Sequence, residues 1–109
     1  MKFLESAGAF IAENAVVCGR VLLGTGVSVW YGAVVRGDLA SITVGDRTNL
    51  QDGCVLHCDP DKDLRIGRLV TVGHLAMIHA REVGDRCLIG IHATLLSGGP
   101  AAAFAGDHD

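Results

Sequence analysis

An all-β fold, a parallel β-helix of about five triangular coils, is what this 109-residue sequence predicts. Three observations predict it. Aliphatic residues recur every six positions from Ile11 to Leu95, and small residues recur four positions after most of them. Fifteen glycines stand in a chain with only five aromatic residues, a mix that suits short strands and tight corners. A period of six fits neither a helix nor a simple hairpin sheet.

The elements follow in order. First hexad positions read Ile11, Val17, Leu23, Val29 and Val35; a three-residue slip leads to Val44, Leu50 and Leu56. A four-residue insertion then leads to Ile66, Val72 and Ile78, and a one-residue deletion to Val83, Ile89 and Leu95. Each hexad makes a short strand and a corner, and its aliphatic residue fills the interior. Fifth positions (Ala15, Val21, Val27, Ala33, Leu39, Thr48, Cys54, Val70, Ala76, Cys87, Ala93) are small or medium and point inward near a corner. Second positions are frequently Gly (Gly24, Gly45, Gly67, Gly73, Gly84, Gly90); second to fourth positions face out or make the corner, where Gly tolerates unusual φ/ψ. Three hexads close a coil, stacked on the next as a parallel ladder of about 4.8 Å per rung. Numbered by side one, two and three, the coils read 11/17/23, 29/35 with a bulged third side near Ile42, 44/50/56, 66/72/78 and 83/89/95. Residues 1–97 form the β-helix domain; residues 98–109 have no register and read as an irregular, disordered tail.

Composition excludes several classes. A net charge of −3 without a basic stripe gives no nucleic-acid footprint. No apolar run is long enough for a membrane span, and the N-terminus lacks a secretory signal. Cys18, Cys54, Cys58 and Cys87 are irregularly spaced, so free thiols in a reducing cytoplasm are expected. Cys54 and Cys87 read as core residues, and Cys58 points away from its neighbour His57.

Within the repeat, register turns sequence into geometry. His57 and His79 both take the second position of side three, in successive coils, and stack on one outer face one rung apart. Two imidazoles at that separation can converge on one ion with bonds of about 2.0–2.1 Å. His74 takes the third position of side two, on another edge of the prism. A ring in which side two of one subunit meets side three of its neighbour brings His74 to the other two, and such a ring closes as a trimer. Three imidazoles with open positions left for water describe a catalytic rather than a structural metal. In this register Arg36 and Gln51 stack below Gly73, which leaves room beside His74, and Asp38 and Asp52 flank them. His92 takes a solvated turn position, and Trp30 faces outward or into an interface.

Residues 27–38 (VSVWYGAVVRGD), 48–57 (TNLQDGCVLH) and 70–96 (VTVGHLAMIHAREVGDRCLIGIHATLL) resemble the gamma-class carbonic anhydrase family, including its ferripyochelin-binding-protein-like and YrdA-like branch. The resemblance covers about residues 11–97, and the combination R-G-D, N-x-Q-D-G, H and G-H-x(4)-H carries it. It implies a left-handed β-helix and a homotrimer holding Zn2+, with Fe2+ or Co2+ as alternatives, on His57, His74 and His79 across the subunit interface. It makes Arg36 and Asp38 an interface pair and puts Gln51 and Asp52 near the metal-bound solvent. The implied reaction is that of a carbonate dehydratase, a lyase: hydration of CO2 to bicarbonate by a metal-bound hydroxide, with Gln51 orienting the nucleophile and Asp52 helping to move the proton.

The sequence also departs from the family pattern. The loop at residues 58–65 lacks the glutamate-rich insertion of the most active branch, and His92 stands where Gly is usual. The chain stops before the further coils and C-terminal helix of relatives, so weak or lost activity is expected. Two other readings stand beside this one: a non-catalytic β-helix scaffold that binds metal or not, and a hexapeptide acyltransferase, against which three clustered histidines argue.

Overall fold

The computed structural model describes residues 3–6, 8–79 and 82–96; the expected tail over 98–109 lies outside the described residues. Among the described residues every regular element is a strand. The repeat dictates why. Aliphatic first positions drive burial, while polar or glycine residues between them break each strand after a few residues. Three flat sides result.

The Leu50 side is built from Ala9–Ala12, Ser28–Val29, Asn49–Leu50, Thr71–Val72 and Leu88–Ile89, in the register Ile11, Val29, Leu50, Val72, Ile89. The Leu56 side uses the first part of Val16–Leu23 and of Val34–Val44, then Val55–Leu56, Met77–Ile78 and Thr94–Leu95; its register is Val17, Val35, Leu56, Ile78, Leu95. The Ile66 side takes the later parts of those two long strands, then Leu64–Ile66 and Glu82–Val83, in the register Leu23, Val44, Ile66, Val83. All these pairings are parallel. Phe3–Ser6 pairs antiparallel with Ala9–Ala12 at one end and covers that edge of the Leu50 side, as sheet edges require.

Every first hexad position therefore falls in one of three interior columns. From Val29 onward they are all buried; Ile11, Val17 and Leu23 of the first coil are half-buried against them. Each buried Val, Leu or Ile contributes about 1.5–3 kcal/mol relative to exposure. The buried polar residue Thr48 donates from Oγ1 to the Gly67 carbonyl (2.6 Å) and accepts from the Val70 amide (3.1 Å), so its hydroxyl is satisfied at an inward corner position.

The structure corrects the sequence reading in three places. The coils run 11/17/23, 29/35/44, 50/56/66 and 72/78/83, with 89/95 beginning a fifth, giving four complete coils. The nine-residue step from Val35 to Val44 is no slip into a new coil. Val34–Val44 is one continuous strand that rounds the corner, with its extra residues in a bulge opposite Gly19 and Val21. Arg36 consequently lies below His57, not below Gln51.

Within that bulge Leu39 is exposed rather than inward; Ala40 and Ile42 fill the core instead. The left-handed corner residue, finally, is the fourth of the hexad, at Gly26, Gly32, Arg47, Gly53, Leu69, Leu75, Arg86 and His92. The second-position glycines Gly24, Gly45, Gly67 and Gly73 serve close approach between coils, whereas Gly90 has open space: a Cβ on Gly73 would sit 2.7 Å from the Ile89 carbonyl oxygen. Packing therefore demands Gly73, whatever room it leaves beside His74.

A candidate metal centre split between two edges of one side

The Leu56 side carries candidate residues along both of its edges. At the edge where the chain turns toward the Ile66 side, His57 and His79 follow the paired residues Leu56 and Ile78. Their backbones are joined rung to rung: the His57 amide donates to the Ile78 carbonyl at 3.0 Å, and the His79 amide to the Leu95 carbonyl at 2.8 Å. The rings are 5.4 Å apart and tilted by 51°. This is the stacked pair that the hexad register predicts.

Carboxylates surround this pair. Arg36 donates to Asp38 Oδ2 from Nη2 (2.8 Å) and Nε (3.3 Å), and the other Asp38 oxygen lies 2.9 Å from His57 Nε2. The Arg36 hydrogen bond, followed by the one from His57, pulls the Asp38 carboxyl down to about 2. Asp38 is therefore an anion that ties Arg36 to His57, a link hidden by the misplaced coil boundary. His79 Nε2 is likewise 2.9 Å from Asp59 Oδ1. Asp59 was missed in the sequence; its signal is a carboxylate two residues past His57 in the corner loop.

The opposite edge, where the chain arrives from the Leu50 side, carries His74. Its Nδ1 is 3.6 Å from Asp52 Oδ1, and half of its side chain is exposed. Gln51 and Asp52 occupy the rung below Gly73 and His74, as the pairing of Leu50 with Val72 requires. The Leu75 amide donates to the Asp52 carbonyl at 3.0 Å, which fixes this corner to the next coil. Below Gln51 comes Trp30, half-buried, with Nε1 donating to Ser28 Oγ at 3.1 Å. Of the predicted residues, then, one edge gathers Arg36, Asp38, His57 and His79, and the other gathers Gln51, Asp52 and His74. Among the described residues no three His, Cys, Asp or Glu side chains of one chain form a metal-binding group.

The remaining predictions are quickly placed. Cys54, Cys58 and Cys87 are buried and free, and burial pushes the Cys54 thiol up to about 12. His92 is exposed at its left-handed corner. Among the described residues no helix is long and apolar enough to cross a membrane. The donor set suits a divalent transition ion: three imidazoles are ligands for zinc, iron or cobalt, and two of the three already stand one rung apart.

No protein-family model matches the chain. Individual proteins do. A probable carbonic anhydrase of Methanocaldococcus jannaschii is 46% identical over 85 residues, covering 78% of this chain and 54% of the relative. Gamma carbonic anhydrase 2, mitochondrial, of Arabidopsis thaliana is 44% identical over 101 residues, covering 87% and 36% respectively. Protein YrdA of Escherichia coli is 42% identical over 93 residues, covering 79% and 50%. The chain thus spans about half the length, or less, of these relatives. Among solved structures, a hexapeptide transferase family protein from Anaplasma phagocytophilum matches with a TM-score of 0.64 and 38% identity, over 87% of this chain and 63% of that one. The solenoid has the left hand of such hexapeptide-repeat β-helices. By these relationships the chain is a homologue of proteins named gamma carbonic anhydrase and YrdA over about four fifths of its own length.

Proposed function

We propose that the chain acts as a gamma-class carbonic anhydrase-like metalloprotein, interconverting CO2 and bicarbonate at a site shared between subunits of a homotrimer. His57 and His79 of one subunit and His74 of the next would hold the ion. The carrying observation is the separation of these histidines onto two edges of one side, with no three-ligand group completed among the described residues of one chain.

The surface between the edges supports the same assembly. Val16, Val34, Val55 and Met77 form an outward-facing apolar ladder along the Leu56 side. The corresponding row on the Ile66 side is Leu22, Thr43, Arg65 and Glu82, mostly polar. An apolar row beside incomplete ligand sets favours the Leu56 side and its flanking edges as the subunit interface. This reading keeps the Leu56 side, side three of the interface expected from the repeat, and of side two, the Leu50 side, only the edge that carries His74.

When bound, Zn2+, Fe2+ or Co2+ supplies Lewis acidity and a hydroxide nucleophile near neutral pH. The protein's own groups do the rest. His57, His79 and His74 set the position of the ion. Gln51 and Asp52, one rung below His74, would orient the attacking solvent and accept its proton. Arg36 and Asp38 hold His57 in place and anchor the interface. Free, buried thiols fit a reducing compartment, and we place the protein in the cytoplasm.

Mixing subunits tests the shared geometry. Neither His57→Ala nor His74→Ala trimers should bind zinc or cobalt alone. Mixed trimers should recover part of the metal, because some interfaces keep all three histidines. Confirmed mixed trimers that recover none would exclude the cross-subunit site. Stopped-flow CO2 hydration on the reconstituted protein then separates an enzyme from a metal-binding scaffold. Because a structural relative is a hexapeptide transferase family protein, acyl transfer from an acyl-thioester is the control reaction.

A further inference from the structure

Two corners of the prism share one backbone geometry and differ in what they display. Between the Ile66 and Leu50 sides, the left-handed position is held by Gly26, Arg47, Leu69 and Arg86; between the Leu50 and Leu56 sides it is held by Gly32, Gly53, Leu75 and His92. At the second corner Leu75 takes φ +60, an angle that strains an L side chain and that Gly53, one rung below, takes freely. The leucine side chain lies over Gly53, where an added Cβ would meet Leu75 Cδ2 at 2.7 Å, and is still 54% exposed. Neither strain nor exposure favours leucine here.

Leu75 has apolar company. Ile89 pairs with Val72, which puts Ile91 one rung above His74, and the His92 amide donates to the His74 carbonyl at 2.9 Å. Ile91 is 64% exposed, so two uncovered aliphatic side chains bracket His74. The opposite edge of the Leu56 side carries two more. Leu39 stands exposed in the bulge next to Asp38, and Leu96 one rung above His79, because Leu95 pairs with Ile78. Val16 lies on the face between the edges. The other exposed large apolar side chains are dispersed: Phe10 on the Leu50 side, Leu22 on the Ile66 side and Leu69 at the arginine-bearing corner. Exposed apolar groups collected in one region mark an interaction surface, whereas scattered single ones do not.

We propose that Leu75 and Ile91 form a docking strip for a second copy of this chain, seated in the assembled protein against Leu39 and Leu96 on the neighbouring subunit's opposite edge. The incomplete ligand sets identify the partner. His74, between Leu75 and Ile91, lacks the two histidines that the edge of Leu39 and Leu96 carries. Closing the strip joins the two half-sites and surrounds them with aliphatic groups that keep water out. Leucine at a left-handed corner is then favoured by burial across the interface rather than by its own coil. The choice of partner rests on the proposed shared metal centre, so association is measured without metal.

The experiment is sedimentation equilibrium on the metal-free full chain over a dilution series. Leu75→Gly should relax the corner and weaken subunit association about tenfold or more, as truncation of a buried interface anchor does, while circular dichroism shows the coil intact. Leu69→Gly relaxes the same kind of angle (φ +55) at the arginine-bearing corner and should leave association unchanged. Equal weakening by both, or no weakening by Leu75→Gly, overturns the docking role. Ile91→Ser should act in the same direction as Leu75→Gly. If Leu75→Gly does not fold, Leu75→Asn, which tolerates the left-handed angle, takes its place. A wild type that stays monomeric with and without Co2+ also overturns the strip. A wild type that trimerises yet takes up no Co2+ removes the metal centre, and the Leu75→Gly effect then decides the strip alone.

Discussion

The two edges of the Leu56 side are built differently. At the His57–His79 edge the histidines are largely covered, their rings 5.4 Å apart and tilted, and each has a carboxylate oxygen at 2.9 Å. At the other edge His74 stands half exposed, 3.6 Å from Asp52, at a corner that makes no other ring contact among the described residues. One edge is preorganised by its own chain; the other is displayed. That asymmetry is what the proposed shared site would require, with the paired edge offering two coordination positions and the displayed His74 left for a neighbouring subunit.

The most severe way to break the comparison is at the displayed edge. His74→Ala should abolish metal binding as fully as His57→Ala, although it leaves the paired edge untouched; metal analysis of the purified trimers checks this. Residual binding near the wild-type level would mean that the paired edge suffices alone. Next in size, Val55→Lys or Met77→Lys places a charge in the apolar ladder between the edges. Both residues face outward, so the coil should persist by circular dichroism while the mass falls to that of the monomer and metal is lost with it. A trimer that survives either substitution would move the interface elsewhere. A smaller effect is expected from Arg36→Ala, which frees Asp38 without touching a ligand: metal affinity should fall by about tenfold, toward the low end of second-partner losses, with trimers retained.

The hexad repeat made most of this architecture legible. All aliphatic first positions entered interior columns, and the stacking of His57 on His79 followed from counting in sixes. What the count could not resolve was where a coil ends. A three-residue excess reads identically as a slip between coils or a bulge within one. Only the pairing of Val35 with Leu56 shows that it is a bulge, and so brings Arg36 beneath His57. Corner chemistry was misread for a related reason. Glycine is required both where φ is positive and where two backbones nearly touch, and sequence alone does not tell these apart; Arg47 and Leu75 hold left-handed corners with no glycine at all. Asp59 escaped notice because its loop interrupts the repeat, and outside the repeat register says nothing of direction.

The smallest expected effect separates the edges through their cores. Each edge is backed by a buried thiol, Cys54 under the corner of His74 and Cys58 beside His57. Desolvation raises both, and Asp52 adds to the shift at Cys54, which reaches about 12 from an ordinary value near 9.0. The sign follows from proton binding. Between those two values the unfolded chain loses the thiol proton while the folded chain keeps it, so folding stability must decline as pH rises through that window and is fully present below it. Denaturant unfolding between pH 8 and 10 should show this decline, and Cys54→Ala should flatten it, since the small fifth-position residue still fits the corner. A slope unchanged by that substitution would assign the alkaline sensitivity to Cys58 or Cys87. Alkylation at neutral pH gives the matching kinetic reading: exposed Cys18 should react in the folded chain, whereas Cys54 should react only at the rate at which the coil beneath His74 opens.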